Sequence, residues 1–331
     1  MKSALVTGAT GFIGKPLCHA LSNRGVEVMA LARQQGTGPW KTLHVCDLAT
    51  DAVPDGLMQG VDTVFHLAAR VHQLNASDDA EDYRRVNTEG TQKLAIASAR
   101  AMVSRFVFFS SVKAVGETSD TLIDEDAEPN PVSAYGKSKL DAENFVHDTA
   151  RNSTMSVSVL RLPLVYGAGV KGNLRDMIRA VARGRFPPVA ECGNRRAMVH
   201  VDDVVAAALL AAESDAAQGK TYFVTDGHEY STRQIYDSIR CALGRSPAAW
   251  SVPNPLLASA AVIGDLMQRF GVRTPFDSSR LQKLMGSARY DGGRIRRELG
   301  FRPANDFDSA LPEIIAALAE SGEGESRFAR G

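Results

Sequence analysis

The chain has 331 residues, which is enough for one large domain or for two modest ones. Its hydrophobic fraction of 44% and its charged fraction of 23% are those of an ordinary globular protein. The 38 basic and 38 acidic residues cancel, so the overall charge gives no reason to expect a nucleic acid or an anionic membrane as partner.

The cysteines and the first residues favour a reducing, cytoplasmic location. The cysteines are far apart and form no C-x-x-C pair, which argues against a disulfide framework and against a zinc site: Cys18, Cys46, Cys192 and Cys241. The opening residues, MKSALVTGAT, lack the long apolar region of a secretory signal. The apolar stretch 256–263 is too short to span a bilayer. We therefore expect no metal and no stable membrane insertion, and membrane contact at 256–263 is not favoured.

The first half of the chain alternates strand-like and helix-like segments. Short apolar runs predict strands over 3–7, 28–32, 43–46, 61–68, 105–110 and 156–162. Helices are predicted over 11–24, 82–101 and 135–151. Continuous apolar strands that alternate with helices indicate a parallel sheet covered on both faces. The predicted fold class is α/β, with a Rossmann-type doubly wound parallel sheet and a smaller, mostly helical C-terminal substrate lobe.

The alternation of predicted strands and helices becomes irregular after Pro163. Glycines and prolines interrupt the following residues, which are predicted to be rich in loops. A helix over 202–213 and a strand over 220–225 follow, and residues 231–321 are mostly helical, with breaks at Pro253, Pro255 and Pro275. The predicted organisation is a dinucleotide-binding domain over 1–165 to which 199–225 return, a substrate-binding lobe over 166–198 and 226–321, and a flexible tail over 322–331.

A glycine-rich turn lies between the first predicted strand and the first predicted helix. Residues 7–14 read TGATGFIG and carry Gly8, Gly11 and Gly14. Glycines permit a tight turn and a close approach of the backbone to a pyrophosphate, whose charge is stabilised by the helix N-terminus. Three glycines alone are a weak signal, but the strand before them and the helix after them supply the required context. The turn therefore predicts an NAD or NADP site.

The end of the second predicted strand bears on the choice between these cofactors. An acidic residue there binds the ribose hydroxyls of NAD, whereas a basic residue suits the 2′-phosphate of NADP. This strand ends in Leu31-Ala32-Arg33, without a carboxylate. Arg33 could donate a bidentate pair to a phosphate or could stack on the adenine of either cofactor. The sequence favours NADP slightly.

Tyr135 and Lys139 form a Tyr-x-x-x-Lys pair, whose spacing places both side chains on one face of the predicted helix. A phenol loses its proton at about pH 10, so it needs a neighbouring ammonium or another cation to act as a base near neutrality. Ser111 follows the buried strand FVFFSS at the sheet edge that binds ligands in parallel sheets. We interpret Ser111, Tyr135 and Lys139 as catalytic residues.

These residues together resemble the extended short-chain dehydrogenase/reductase superfamily, in its nucleotide-sugar epimerase/dehydratase branch. The similar motifs follow one another over nearly the whole chain: VTGATGFIG, Asp47-Leu48, His66-Leu67-Ala68-Ala69, YRRVNTEGT, FFSSVKAVGE, YGKSK, RLPLVYG and MVHVDDVV. The resemblance implies further cofactor contacts from Phe12, Ile13, Asp47, Leu48, Leu67, Ala68, Ala69, Asn87, Tyr135, Lys139 and Pro163. It also implies that Asn173 and Arg196 bind the diphosphate of a nucleotide sugar and that Ser111 binds the sugar.

The resemblance also excludes one of the reactions that occur in this family. The 4,6-dehydratases of this family carry Thr-Asp-Glu where this chain has Ser111-Val112-Lys113, and valine and lysine cannot supply the acid and base that remove water. A dehydratase is therefore rejected. Between the remaining reactions, the resemblance alone slightly favours a 4-epimerase of a UDP-hexose or UDP-N-acetylhexosamine. An NADPH-dependent 4-ketoreductase that makes a UDP-6-deoxy-N-acetylhexosamine stays open, because the same residues serve both reactions. A non-catalytic dinucleotide-sensing scaffold is the third hypothesis. Relatives often form homodimers through the catalytic helix.

Overall fold

The computed structural model describes residues 1–71, 80–269 and 277–320, and the structural statements below refer to these ranges. The predicted tail 322–331, residue 321 and Pro275 lie outside the described residues.

The strands begin and end close to the predicted positions wherever the apolar runs are long. In chain order they are β1 Ser3–Thr7, β2 Glu27–Ala32, β3 Thr42–Val45, β4 Thr63–His66, β5 Arg105–Ser111, β6 Ser119–Ile123, β7 Ser156–Leu162, β8 Leu164–Tyr166, β9 Arg196–His200, β10 Lys220–Phe223, β11 Glu229–Tyr230 and β12 Ala288–Tyr290.

The helices are α1 Gly14–Asn23, α2 Ala80–Tyr83, α3 Gly90–Arg100, α4 Ala134–Arg151, α5 Gly172–Ala182, α6 Val201–Glu213, α7 Thr232–Ala242, α8 Asn254–Arg269, α9 Ser278–Met285, α10 Gly293–Leu299 and α11 Phe307–Glu320. A π-helical turn, Arg84–Glu89, joins α2 to α3 within the predicted helix 82–101. Short 3-10 turns lie at Val112–Ala114 and Asp215–Ala217.

The main sheet confirms the predicted fold class. Its seven parallel strands have the order β10-β7-β5-β4-β1-β2-β3, and the chain crosses over β1 when it passes from β3 to β4. Side chains of β1 alternate between two core layers, because Ala4 and Val6 pack with α1 and α6 while Leu5 packs with α3 and α4. The crossover creates a crevice at the carboxyl ends of β1 and β4, where such sheets bind ligands.

A second, smaller sheet was not predicted. Its strands have the order β11-β9-β12-β6, and β8 pairs with β9. The strand β6 belongs to the first predicted domain, yet Ser119 pairs with Ala288 far along the chain. Strands of two to five residues carry too little periodicity to be recognised before their partners are known.

The prediction of loops after Pro163 was wrong for part of that segment. The helix α5 buries Leu174, Ile178 and Val181, which are spaced as one face of a helix. The interrupting glycines lie at its flanks, where Gly172 has φ +67° at the first position. The predicted break at Pro255 was also wrong, because this proline occupies the first turn of α8, where its missing N–H costs nothing.

A buried ion pair fixes α4 against the sheet. Arg161 of β7 donates from Nε to both carboxylate oxygens of Glu143 at 3.1 Å and from Nη2 to Oε2 at 2.6 Å. Ser110, directly opposite Arg161 on β5, donates its hydroxyl to the same carboxylate. The side chains of Arg161 and Glu143 are only 7% and 3% exposed. A buried charge pair of this kind holds its elements in one register, since separating it leaves a charge without solvent.

We expect Arg161→Met to lower the free energy of unfolding by about 3–5 kcal/mol, because the Glu143 carboxylate would stay buried without its partner. Combining Glu143→Gln with Arg161→Met should recover part of this loss, since no buried ion then remains. Arg105→Met is the matched control, because its partner Asp215 is exposed, and it should cost at most about 1 kcal/mol. Urea denaturation measures all three, and equal losses for Arg161→Met and Arg105→Met would contradict the prediction.

Candidate active site

The predicted cofactor and catalytic residues meet at one edge of the main sheet. The register pairs Thr7 with both Leu31 and His66, and it pairs Ser111 with Leu162. The glycine turn, the loop after β4, the Ser111 turn and Pro163 all follow these carboxyl-terminal strand ends, and Arg33 is exposed just after β2. A parallel sheet brings these segments together because every strand ends at the same edge.

The glycine turn is packed so tightly that side chains would not fit. Gly8 has φ +67°, and an ideal Cβ on it would lie 3.0 Å from the N of Ala68. A Cβ on Gly14 would lie 2.8 Å from the Cα of Ala9, and Gly11 closes the turn by donating to the Gly8 carbonyl at 2.9 Å. The turn delays the start of α1 from the predicted residue 11 to Gly14. This compact backbone at a helix N-terminus fits a pyrophosphate.

A chain of buried hydrogen bonds holds the loop after β4. The Thr7 hydroxyl accepts from the backbone N–H groups of Leu67 at 3.1 Å and Ala68 at 3.0 Å and donates to His66 Nδ1 at 2.7 Å. His66 Nε2 donates to Thr91 Oγ1 at 2.8 Å, because the Thr91 hydroxyl already donates to a backbone carbonyl at 2.6 Å. Burial lowers the pKa of His66 to about 3, so the ring is neutral. Sequence reasoning did not single out Thr7 or Thr91.

Asn87 connects this loop to α4. Its Oδ1 accepts from the backbone N–H of Arg70 at 2.7 Å, and its Nδ2 donates to the Arg70 carbonyl at 3.1 Å and to Ser138 Oγ at 3.0 Å. The residue lies in the π-helical turn, an irregularity that is frequent at functional sites. In this structure the Asn87 amide positions two segments of the site, and its contact with a cofactor stays a prediction.

The start of α4 places Tyr135 beside Ser111. Ser133 caps the helix by accepting from the N–H of Gly136 at 3.0 Å. A Cβ on Gly136 would collide with the carbonyl of Lys113, so glycine allows the helix to pack on the turn that follows β5. This packing brings the Ser111 hydroxyl close enough to the Tyr135 phenol to influence its pKa.

The surroundings of Tyr135 raise the pKa of its phenol. Burial raises that pKa to about 12, and the neighbouring Ser111 hydroxyl opposes this by stabilising the phenolate. Lys113 Nζ lies 5.8 Å from the centre of the Tyr135 ring, and the ring of Tyr83 packs edge-on at 5.9 Å. Tyr135 therefore needs a further positive charge before it can act as a base near neutral pH.

Lys139 lies one turn later on the same helix and is almost fully buried. Its Nζ donates to the Phe109 carbonyl at 2.7 Å and lies 4.1 Å from the centre of the Phe108 ring. Burial lowers the pKa of Lys139 to about 7, and the carboxylate of Glu143 opposes this shift. An amine with this pKa can carry or release a proton near neutral pH. Glu143 was missed by sequence reasoning, although its position four residues after Lys139 places it on the same helix face.

The predicted adenine-side residues follow β3. The Asp47 carboxylate accepts from the N–H of Ala49 at 3.0 Å and so stabilises its own turn. Leu48 is buried, and its carbonyl accepts from Lys93 Nζ at 3.1 Å.

The two residues predicted to bind a diphosphate lie on separate elements, α5 and β9. Asn173 is exposed in the first turn of α5. Arg196 begins β9, where its Nη2 donates to the carbonyl of Lys283 on α9. Its Nε is buried without a hydrogen-bond partner among the described residues, and burial lowers the pKa of this guanidinium. A buried donor without a partner is costly in a folded protein and marks a place where a ligand oxygen can bind.

Within the described ranges no cluster of three or more His, Cys, Asp or Glu side chains could hold a metal ion. No helix in the same ranges is long and apolar enough to cross a membrane.

Comparison with known proteins agrees with this geometry. Residues 4–225 match the NAD dependent epimerase/dehydratase family, which is more than half of the chain. The chain belongs to this family. It is 28% identical to a UDP-glucose 4-epimerase of Vibrio cholerae over 328 residues, 97% of this chain and 96% of that protein. The solved structure of MoeE5 in complex with UDP-glucuronic acid and NAD is 27% identical, with a TM-score of 0.77 over 96% of this chain and 99% of that one.

Reductases are also among the relatives. The chain is 28% identical over 309 residues to the 4-hydroxy-2-methyl-3-oxo-4-farnesyl-3,4-dihydroquinoline-1-oxide ketoreductase of Stigmatella aurantiaca, with 89% of this chain and 90% of that protein covered. Membership of the family therefore identifies an enzyme of hydride transfer, whereas the net reaction differs between its members.

We expect Lys139→Met to stabilise the protein most at pH 7 and progressively less towards pH 10. Between its folded pKa of about 7 and its ordinary value of 10.5, Lys139 is protonated only in the unfolded chain, so the stability of the unaltered protein rises with pH. The difference in free energy of unfolding should shrink by up to about 1.4 kcal/mol per pH unit. Lys137→Met, at an exposed position on the same helix, is the control. An identical pH dependence for both variants would show that the pKa of Lys139 is not lowered in the folded protein.

Proposed function

We propose that this protein is a nucleotide-sugar 4-epimerase that acts on a UDP-hexose or a UDP-N-acetylhexosamine. The observation that carries the proposal is the grouping of Tyr135 beside Ser111, with Lys139 buried one turn further along the same helix, at the sheet edge where the glycine turn lies. The relatives named above include a UDP-glucose 4-epimerase and a protein with UDP-glucuronic acid and NAD bound, which supports this substrate class.

The cofactor is a nicotinamide dinucleotide, and Arg33 favours NADP. The glycine turn and the loop at Leu67, Ala68 and Ala69 would hold its pyrophosphate, and Lys139 would bind the ribose next to the nicotinamide. When bound, the nicotinamide ring accepts and returns the hydride of C4. The exposed Arg33 guanidinium would meet the 2′-phosphate of NADP after β2, where no carboxylate is available for the hydroxyls of NAD.

The chain's own residues then move the proton. Tyr135 removes it from the C4 hydroxyl of the sugar, while the Ser111 hydroxyl donates to the developing oxygen. Lys139 supplies the positive charge that the buried phenolate lacks, and the Phe109 carbonyl keeps its ammonium in place. For epimerisation, the 4-keto sugar turns over in the site and Tyr135 returns the proton to C4 oxygen on the opposite face.

The diphosphate of the substrate would bind at Arg196. Its unpartnered Nε can donate to a phosphate oxygen, and the planar guanidinium suits a diphosphate. Asn173 would contact the same group from the start of α5. In this arrangement residues 166–198 and 226–321 form the substrate-binding lobe.

A 4-ketoreductase is the second candidate, favoured by the basic residue Arg33 after β2. An enzyme that consumes reducing equivalents commonly uses NADPH, and the same Ser111, Tyr135 and Lys139 would deliver one proton with one hydride. The two functions differ in whether the hydride returns to the sugar.

Nucleotide release from the purified protein distinguishes the two candidates. A 4-epimerase retains its dinucleotide through purification and interconverts two UDP-sugars without added cofactor. A ketoreductase consumes NADPH only when a 4-keto sugar is supplied, and that result would overturn the epimerase. Tyr135→Phe is the matched variant, because it should keep the bound nucleotide and lose turnover. Unchanged turnover in Tyr135→Phe would contradict both reactions.

We expect Arg196→Met to raise KM for the UDP-sugar about 10- to 100-fold and to change kcat little. The variant removes charge-assisted hydrogen bonds to a diphosphate that is equally bound in the ground and transition states. The neighbouring Arg195→Met is the control, because the Arg195 guanidinium donates to the Asn194 carbonyl at 3.0 Å. Steady-state kinetics measures both variants. A loss of kcat without a change of KM, or equal effects of the two variants, would remove Arg196 from the diphosphate site.

A further inference from the structure

The helix α8 exposes large apolar side chains along most of its length. Leu256, Val262, Ile263, Leu266 and Met267 are between 41% and 63% exposed. An exposed group of this size is uncommon on a protein that meets only water, and it marks a surface that binds something apolar. Sequence analysis had placed this stretch on a helix face without favouring membrane contact.

The exposed side chains lie opposite the part of α8 that packs on the protein. The helix is attached through a narrow stripe of buried residues, Leu257, Ala261 and Gly264. At roughly 100° per residue, the five large apolar side chains cover an arc of about 140° centred on the opposite side. We call this arc, with its five side chains, the outer face of α8.

Between residues 255 and 268, the polar side chains of α8 are turned away from the outer face or are hydrogen-bonded to the helix itself. The Ser259 hydroxyl lies within the arc but donates back to the Pro255 carbonyl at 2.9 Å. Asp265 is the one charged residue in the sequence 255–268, and it accepts from the N–H of Ser278 at 3.1 Å, at the start of α9. The outer face therefore presents hydrocarbon, and a helix with its polar groups satisfied in this way tolerates contact with lipid.

The chain that leads into α8 is basic and lacks acidic residues. Between residues 238 and 264 the charged residues are Arg240 and Arg245 alone. Arg245 donates to the carbonyls of residues 181 and 182 at 3.1 and 2.9 Å, which places it at the C-terminus of α5, next to the exposed Arg183 and Arg185. Trp250, 63% exposed, follows in the segment between Arg245 and α8. Arginines with an exposed tryptophan and an apolar helix face are the composition that binds anionic phospholipid surfaces.

We propose that the outer face of α8 binds the surface of an anionic phospholipid bilayer, with Arg183, Arg185 and Arg245 facing the headgroups. A second copy of the chain is a less suitable occupant, because residues 238–264 contain no carboxylate to pair with the arginines of a partner and Asp265 of α8 already accepts from the N–H of Ser278. The helix lies in the interface and does not span it, which agrees with its short apolar stretch.

This surface is connected to the proposed substrate site. The helix α8 packs against α9, and the carbonyl of Lys283 on α9 accepts from the guanidinium of Arg196. The inference goes beyond the proposed function and does not depend on it, since it concerns a surface and not the reaction.

Vesicle co-sedimentation tests the proposal on the full-length protein. Vesicles of phosphatidylcholine with phosphatidylglycerol should sediment the protein, and vesicles of phosphatidylcholine alone should sediment less of it. The double variant Ile263→Ser/Leu266→Ser should lose about tenfold or more in affinity for the anionic vesicles. The matched control is Met102→Ser/Val132→Ser, which alters side chains that are 79% and 71% exposed elsewhere, and it should bind as the unaltered protein does.

Three results would overturn the proposal. The first is that anionic vesicles do not sediment the unaltered protein, and the second is that both double variants lose affinity equally. The third is that the unaltered protein does not bind vesicles and is oligomeric in size-exclusion chromatography, whereas the Ile263→Ser/Leu266→Ser variant is monomeric. In that case a second copy of the chain covers the outer face of α8. If that variant unfolds in urea earlier than the control, Leu256→Ser/Val262→Ser replaces it. Vesicle binding without any UDP-sugar turnover would refute the proposed function and leave this surface intact.

Discussion

The ion pair between Glu143 and Arg161 is the interaction on which the geometry of the site depends. It joins the middle of α4 to β7, and Ser110 adds a bond from β5 to the same carboxylate. The next carbonyl back along β5, that of Phe109, is the acceptor for Lys139. The buried pair therefore sets the position of α4 relative to the strand that carries Ser111. A shift of α4 would move both Tyr135 and Lys139 away from Ser111.

The predicted cofactor side of the site, formed by the glycine turn and the loop after β4, depends on a different kind of constraint. Its backbone is held by close packing at Gly8 and Gly14 and by the neutral Thr7–His66–Thr91 chain, which carries no charge that could compete with a dinucleotide. Asn87 then ties this side to α4 through Ser138. Buried polar networks of this kind are stable only when every member is satisfied, which fixes one arrangement of the loops around the crevice.

Local patterns predicted much of this site, and long-range contacts could not be predicted. The glycine turn, Tyr135 and Lys139 were recognisable because their chemistry depends on spacings of three or four residues. The parallel main sheet with both faces covered was predictable from continuous apolar strands that alternate with helices. The pairing of β6 with β12 was missed because the strands are short and about 170 residues apart. The contact of Arg196 with α9 depends on that same lobe, so its unpartnered donor appears only in the structure.

In the proposed 4-epimerase, hydride leaves C4 of the sugar and returns to the same carbon. The most direct measurement uses a UDP-hexose labelled with deuterium at C4, incubated with the purified protein and no added cofactor, and followed by mass spectrometry and NMR. We expect both 4-epimers to appear and the deuterium to stay on C4 in each. Loss of the label to solvent, or release of a 4-keto sugar without the epimer, would contradict it.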